Sequence, residues 1–362
     1  MRQFPAPTGR DPHADRHTPV TDHIVVKRER HGIELDEFIC LLYPLLNKGF
    51  VRRQIHEGRV LVDGQRVLPS RHLRGDQVVS IDIDEDAVDM PQAPVAPVLA
   101  LDVLYEDDEV LVVDKPAGLP VEPERWERGS ACLSGGLLEL ALHRSGIDPD
   151  AVEELSEGLG FRPRLVHRID KGTSGAILVA KTLETERSLR EAFAAGGIEK
   201  NYLALVEGEY PLADGESELI DLPIGPDRRK SGRMQIDEAR GKASATVVQV
   251  EERFHGYTLL RCEPRTGRTH QIRVHLAATG FPLVVDRTYG RRDALSLSEI
   301  KRNYRPKRGR SESPLIDRLT LHAQRLGFPD ASGQRHVVEA PLPKDYARVL
   351  KQLAKVRPFT KR

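Results

Sequence analysis

The 362-residue sequence is short of three things: cysteine, an excess of charge of either sign, and long apolar runs. Cys40, Cys132 and Cys262 are the only cysteines, odd in number and far apart. That argues against a disulfide framework and a zinc ribbon and fits a reducing compartment. Lys plus Arg and Asp plus Glu both number 55, so the formal net charge is zero. Affinity for nucleic acid is therefore not legible in bulk charge and has to come from local basic patches. No run approaches the ~18 apolar residues of a membrane helix. The first twenty residues are polar and Pro-rich, with no apolar core for a signal peptide. The expectation is a soluble, cytoplasmic protein with no membrane partner. Its length suggests two or three domains.

What is present concentrates at residues 164–182. Arg164, His167, Arg168, Asp170 and Lys171 crowd charge into a few positions, and the apolar run Ala176–Ala180 follows. That run is rich in β-branched residues and reads as a buried strand. Between them Gly172-Thr-Ser-Gly175 is turn chemistry, two glycines and two hydroxyls. Asp170 thus sits on a loop anchored to a strand, where catalytic groups are often carried. A carboxylate beside arginine, with no second acid nearby, suits a nucleophile or base kept ionised by a cation. On charge spacing alone, a surface Asp–Arg pair is the more common explanation, since structural ion pairs abound.

In chain order, residues 1–22 read as a mobile tail. Residues 23–85 form a compact unit. Leu35, Phe38, Ile39 and Leu42 fall on one helix face, Phe50–Glu57 is a second helix capped by Gly58, and Asp63-Gly64 turns a hairpin between Arg59–Val62 and Gln65–Val67. Gln77–Ile83 is a further strand. A Pro-rich linker spans 86–100. A larger domain covers 101–346, with strands at Val110–Val113, Lys200–Val206, Ala245–Val250 and Tyr257–Cys262 and helices at Leu137–Ser145, Thr185–Ala195 and Thr269–Ala278. Pro226–Lys242 is a flexible basic loop holding Arg228, Arg229 and Lys230. Residues 291–314 form a basic insertion containing Lys307 and Arg308, and 347–362 a basic, helical tail.

His167-Arg-Ile-Asp170-Lys-Gly-Thr-Ser-Gly175 resembles the H-R-L-D-x-x-T-S-G motif of the RluA-type pseudouridine synthases. Thr266-Gly-Arg268-Thr-His270-Gln-Ile-Arg273-Val-His275-Leu276 matches that family's T-G-R-T-H-Q-I-R-V-H-L throughout, and Lys115-Pro-Ala-Gly-Leu119 and Lys200-Asn-Tyr202-Leu-Ala-Leu-Val206 match two further blocks in order. Glu122 stands where the family commonly has a His, and Val285 replaces a Gly in Gly280–Gly290. The smaller unit resembles an S-four-like RNA-binding domain in Gln54-Ile-His-Glu-Gly58, Val60–Gly64 and Gly75-Asp76.

The resemblance implies an α+β chain: a small S-four-like α/β domain followed by the pseudouridine synthase fold, a largely antiparallel mixed sheet flanked by helices and loops. It implies isomerisation of uridine in structured RNA, most often large-subunit ribosomal RNA, with transfer RNA as the alternative, by a monomer needing no cofactor and no metal. Asp170 would be catalytic, Arg273 its partner, and Tyr202 would lie against the uracil and help remove the C5 proton. Arg168 would help flip the nucleotide. Lys115, Arg268, His270, Arg52, Arg53, Arg228, Arg229, Lys230, Lys307 and Arg308 are the candidate RNA contacts.

Three rivals were weighed. Binding alone would not need Asp170, Tyr202 and Arg273 together. A serine hydrolase at Ser174 has its strand on the wrong side and Ala176 for the second Gly. Zinc at His270 and His275 fails because five residues turn a helix roughly 140°.

Overall fold

The computed structural model describes residues 21–26, 28, 31–42, 48–82, 101–122, 131–146, 161, 163–305 and 311–360. The 86–100 linker, Lys307 and Arg308 lie outside the described residues. The chain divides into two compact units, residues 1–93 with 147–159, and residues 94–146 with 160–362.

In the first unit, Thr21–Val25 (β1), Leu35–Leu42 (α1), Lys48–Glu57 (α2), Val60–Val62 (β2) and Val78–Asp82 (β3) give two helices and an antiparallel sheet of order β1-β3-β2. Leu35, Phe38 and Ile39 are buried, as their spacing requires. Asp63 and Gly64 turn the chain at φ 50° and 74°, the left-handed pair a tight hairpin turn needs. The hairpin stops there, however. Gln65 makes a single bridge to Val62, and β2 pairs instead with β3. Residues 21–22, read as tail, begin β1, because its order comes from a partner strand distant in sequence.

The second unit is built on a ten-stranded sheet. Its strands are Asp102–Glu106 (β4), Val110–Lys115 (β5), Arg164–Leu165 (β6), Ser174–Ala180 (β7), Glu199–Glu207 (β8), Ser217–Asp221 (β9), Ala245–Phe254 (β12), Tyr257–Pro264 (β13), Leu321–Pro329 (β14) and Arg335–Glu339 (β15). The order is β4-β5-β7-β14-β8-β13-β12-β9, with β15 on β14 and β6 on β7. The pairing of β7 with β14 is parallel and the others in this sheet are antiparallel. This is the largely antiparallel mixed sheet expected.

β7 is buried at every position, which is why its sequence is an unbroken apolar run rather than an alternation. At its start Gly175 adopts φ 117°, and a Cβ there would lie 2.2 Å from the Ala323 carbonyl oxygen of β14. Only glycine lets these two strands meet. Helices Leu133–Ser145 (α3), Leu183–Ala194 (α4), Gln271–Ala278 (α5), Leu297–Ile300 (α6) and Lys344–Val356 (α7) complete the unit.

The structure corrects one expectation and adds packing to two others. Pro226–Lys242 is not a loose loop. Ile224–Pro226 (β10) and Met234–Ile236 (β11) form a hairpin, and Arg228, Arg229 and Lys230 are exposed between its strands. The 347–362 segment is helical as far as Val356, as expected, and its helix docks: Tyr346, Val349 and Leu353 of α7 are fully buried in the core. The first part of the basic insertion packs too. Leu295 and Ile300 are buried, and Arg292 pairs with Glu207 and Glu299. Among the described residues no helix is long and apolar enough to cross a membrane.

Candidate active site

The loop before β7 carries Asp170, and its shape is imposed from below. Lys115, at the end of β5, is fully buried, and its ammonium donates to the carbonyls of Pro116 (2.8 Å), Leu119 (2.7 Å) and Lys171 (3.2 Å). The Gly118 N–H also donates to the Lys171 carbonyl, at 2.8 Å. Burial pushes the Lys115 pKa down to about 7, against the pull of the Asp170 charge, while its three carbonyl acceptors favour the ammonium. Lys115 is among the RNA contacts expected from sequence; fully buried, it is instead the pin that fixes the Asp170 loop. On the other side Ser174 Oγ lies 3.0 Å from His322 Nδ1, and Arg318 donates to it at 3.2 Å.

The motif around Arg273 also divides into scaffold and site. Gln271 accepts from Thr266 Oγ1 (2.7 Å) and the Arg268 N–H (3.0 Å) and donates to the Ala245 carbonyl at 3.0 Å. His275 is buried between Thr246 Oγ1 and the Leu222 carbonyl, each at 2.9 Å. The helix begins at Gln271 rather than Thr269, since His270 sits at φ 56°, left-handed, and ends the loop instead. His270, at the end of the loop, and Arg273, in α5's first turn, both line the cavity.

Arg273 is the centre of the site. Its Nη1 donates to Asp170 Oδ2 at 3.0 Å, while Nε and Nη2 clasp Asp286 at 2.7 and 2.9 Å. The side chains of Arg273 and Asp286 are 9% and 1% exposed, that of Asp170 22%, so the ion pair is shielded and its reactive end open. Burial opposes the Arg273 charge, but Asp286 and Asp170 outweigh it and push its pKa up. Burial likewise opposes the Asp286 charge; Arg273 and the N–H groups of Thr288 and Tyr289 outweigh that and hold its pKa down.

Tyr289 underlies this cluster. Its ring centre lies 5.0 Å from the Arg273 guanidinium carbon and 5.4 Å from that of Arg233. Its hydroxyl accepts the Met234 N–H at 2.8 Å and lies 2.9 Å from His270 Nδ1. Tyr202, on β8, faces the same cavity; burial first, and then the Asp170 charge, raise its pKa.

The cavity is about 1010 Å³, and Asp170, Tyr202, Arg273, Arg168, Arg268 and His270 all line it. Arg168 is exposed and 3.8 Å from Glu122, the residue standing in for the family's His. In the first unit, Arg52 is held by buried Asp36 at 2.6 Å, and Arg53 lies over Phe50. Sequence reasoning missed Asp286, Tyr289 and Lys200 as site residues. The first two stand at fixed positions of the Gly280–Gly290 block, which was the available signal.

The description "RNA pseudouridylate synthase" fits the family model that matches residues 109–278. Ribosomal large subunit pseudouridine synthase D of Xanthomonas campestris pv. campestris is 34% identical over 336 residues, 91% of each chain. Ribosomal large subunit pseudouridine synthase C of Escherichia coli (strain K12) is 32% identical over 348 residues, 94% of this chain and 99% of that one. The solved structure of human RNA pseudouridylate synthase domain containing 4 shares the fold at TM-score 0.50 and 22% identity, covering 70% of this chain and 92% of that one. Fold and sequence together define an isomerase of the pseudouridine synthase class. Within it, the chain belongs to the RluA-type RNA pseudouridine synthase family.

Proposed function

We propose that this synthase isomerises specific uridines of large-subunit ribosomal RNA in the cytoplasm, with Asp170 as its catalytic carboxylate. The observation that carries the reading is the Asp170–Arg273 ion pair, closed on the protein side by Asp286 and open to the cavity. The ribosomal target rests on the relatives, which are named as ribosomal large subunit pseudouridine synthases.

The reaction breaks the N1–C1′ bond of uridine, turns the base and rejoins it through C5, with no redox step or net hydrolysis. Asp170 would act on the ribose, as nucleophile at C1′ or as base at C2′. Arg273 favours the carboxylate form that either role needs. Tyr202 would lie against the uracil. Its raised pKa keeps the phenol protonated near neutrality, which suits a contact surface better than the C5 base expected from the resemblance. Reaching C1′ requires flipping the nucleotide, at a cost of a few kcal/mol. Arg168 and Arg268 at the cavity, and exposed Arg228, Arg229 and Lys230 on the hairpin, are suited to hold the phosphates around it. The first unit would add affinity through Arg53 and its neighbours.

The test is to map pseudouridines by carbodiimide labelling and reverse-transcription stops in a host lacking this gene, with and without the wild-type gene restored. Stops in large-subunit RNA that return with the gene support the reading. Stops returning only in transfer RNA would move the target there.

A further inference from the structure

Resting on that reading, we propose that Lys200 and Phe193 form a subsite, separate from the reacting centre, for the backbone phosphate of the nucleotide next to the flipped uridine. Both side chains line the cavity that Asp170 opens into. At about 1010 Å³ this cavity stands at the top of the range of roughly 300–1,000 Å³ that suits a drug-sized ligand. One flipped nucleoside does not fill it.

The charge arrangement says what the remaining space takes. Lys200 Nζ lies 5.6 Å from the Phe193 ring centre. Among the described residues, no carboxylate lies within ion-pair distance of it and no acceptor within hydrogen-bond distance. Glu263, whose charge it feels, is committed to Arg265 at 2.7 Å. Glu199, its neighbour in sequence, alternates to the other side of the strand and pairs with Arg335 and Arg325. The far side of this wall supplies no anion either: His167 stacks on Phe193 at 4.9 Å and is a neutral ring accepting the Leu178 N–H at 2.8 Å. Lys200 is thus a half-buried cation held over an aromatic ring and facing the cavity without a counter-ion. Burial lowers its pKa, so an incoming anion restores the charge that the site disfavours when empty.

Position selects the ligand. Lys200 and Tyr202 are two apart on β8 and point to the same side, about 7 Å apart along the strand. That is comparable with one nucleotide step of an extended chain. With the uracil against Tyr202, the neighbouring phosphate falls at Lys200.

The test uses the full chain and two variants. Lys200→Met keeps the stem and removes the charge; Lys200→Arg keeps the charge and controls for packing. Binding of a fluorescein-labelled uridine dodecamer is followed against salt, and turnover on a transcript spanning the mapped uridine is measured separately. For Lys200→Met, the slope of log affinity against log salt becomes shallower by about 0.7, one phosphate on a single strand. KM rises about tenfold, kcat falls by a much smaller factor, and Lys200→Arg restores the slope. An unchanged slope, or a loss confined to kcat, overturns the subsite. A wild-type chain that forms no pseudouridine would instead overturn the functional reading, while the dodecamer slope would still test the phosphate contact.

Discussion

Replacing Asp286 with Asn separates structural from catalytic carboxylate at this site. Asp286 is 1% exposed and holds Arg273, itself 9% exposed, through two charge-assisted bonds of 2.7 and 2.9 Å. Asn offers one acceptor where the carboxylate offered two, and turns an amide N–H₂ toward the guanidinium. Removing one partner of a buried pair costs about 3–5 kcal/mol. Arg273 keeps Asp170 at 3.0 Å, so the lower end applies, about 3 kcal/mol. At ~2–4 °C per kcal/mol for a domain of this scale, the melting temperature falls by roughly 6–12 °C. Asp170→Asn behaves differently. Asp170 is 22% exposed and makes one bond to Arg273, for which Asn retains an acceptor. Its cost should be about 1 kcal/mol, and in the proposed role turnover should be abolished. Calorimetry and turnover on both variants check the contrast. An Asp286→Asn protein melting within about 2 °C of wild type would refute the buried clamp.

The same clamp gives acid sensitivity. The Asp286 carboxyl is held below its ordinary 3.8, so the unfolded chain binds more protons below that pH. Its contribution is complete above the unfolded value and is lost as pH falls through the folded one. Acid unfolding of Asp286→Asn should therefore show a flatter pH dependence than wild type. Gly175→Ala places a methyl 2.2 Å from the Ala323 carbonyl and should leave little soluble protein; normal expression and melting would contradict the close β7–β14 approach. Tyr289→Phe removes the acceptor of the Met234 N–H and the partner of His270. It should cost about 2 kcal/mol and shift the His270 imidazole signals seen by nitrogen NMR; unchanged signals would argue against the His270–Tyr289 hydrogen bond. Substituting Arg228, Arg229 and Lys230 together with Ala should make the salt dependence of RNA binding shallower by about two. An identical slope would make the hairpin tip a bystander.

Contiguous signatures carried most of what was legible in the sequence. Asp170, Arg273 and Tyr202 lie in three separate motifs, and all three face one cavity. The β7 strand was readable because burial on both faces leaves an unbroken apolar run. What escaped was set by contacts distant in sequence. Lys115 in a Lys-Pro turn looks solvated, yet three carbonyls enclose its ammonium. Asp286 looks like any loop acid until Arg273 arrives from 13 residues earlier. The hairpin at β10–β11 has little apolar content; it is ordered by its own ladder and by the Met234–Tyr289 bond. The left-handed His270 could not be told from a first helical residue, since a good helical run follows it directly.

The central claim is that Asp170 drives isomerisation in a site that otherwise remains intact. The most direct measurement is tritium release from RNA carrying [5-³H]uridine, because joining C1′ to C5 expels the C5 hydrogen. Purified wild-type protein should release tritium in step with pseudouridine formed at the mapped site. Asp170→Asn should bind the same RNA with affinity within about threefold, about 0.6 kcal/mol, and release none. Release by Asp170→Asn at the wild-type rate would contradict the account.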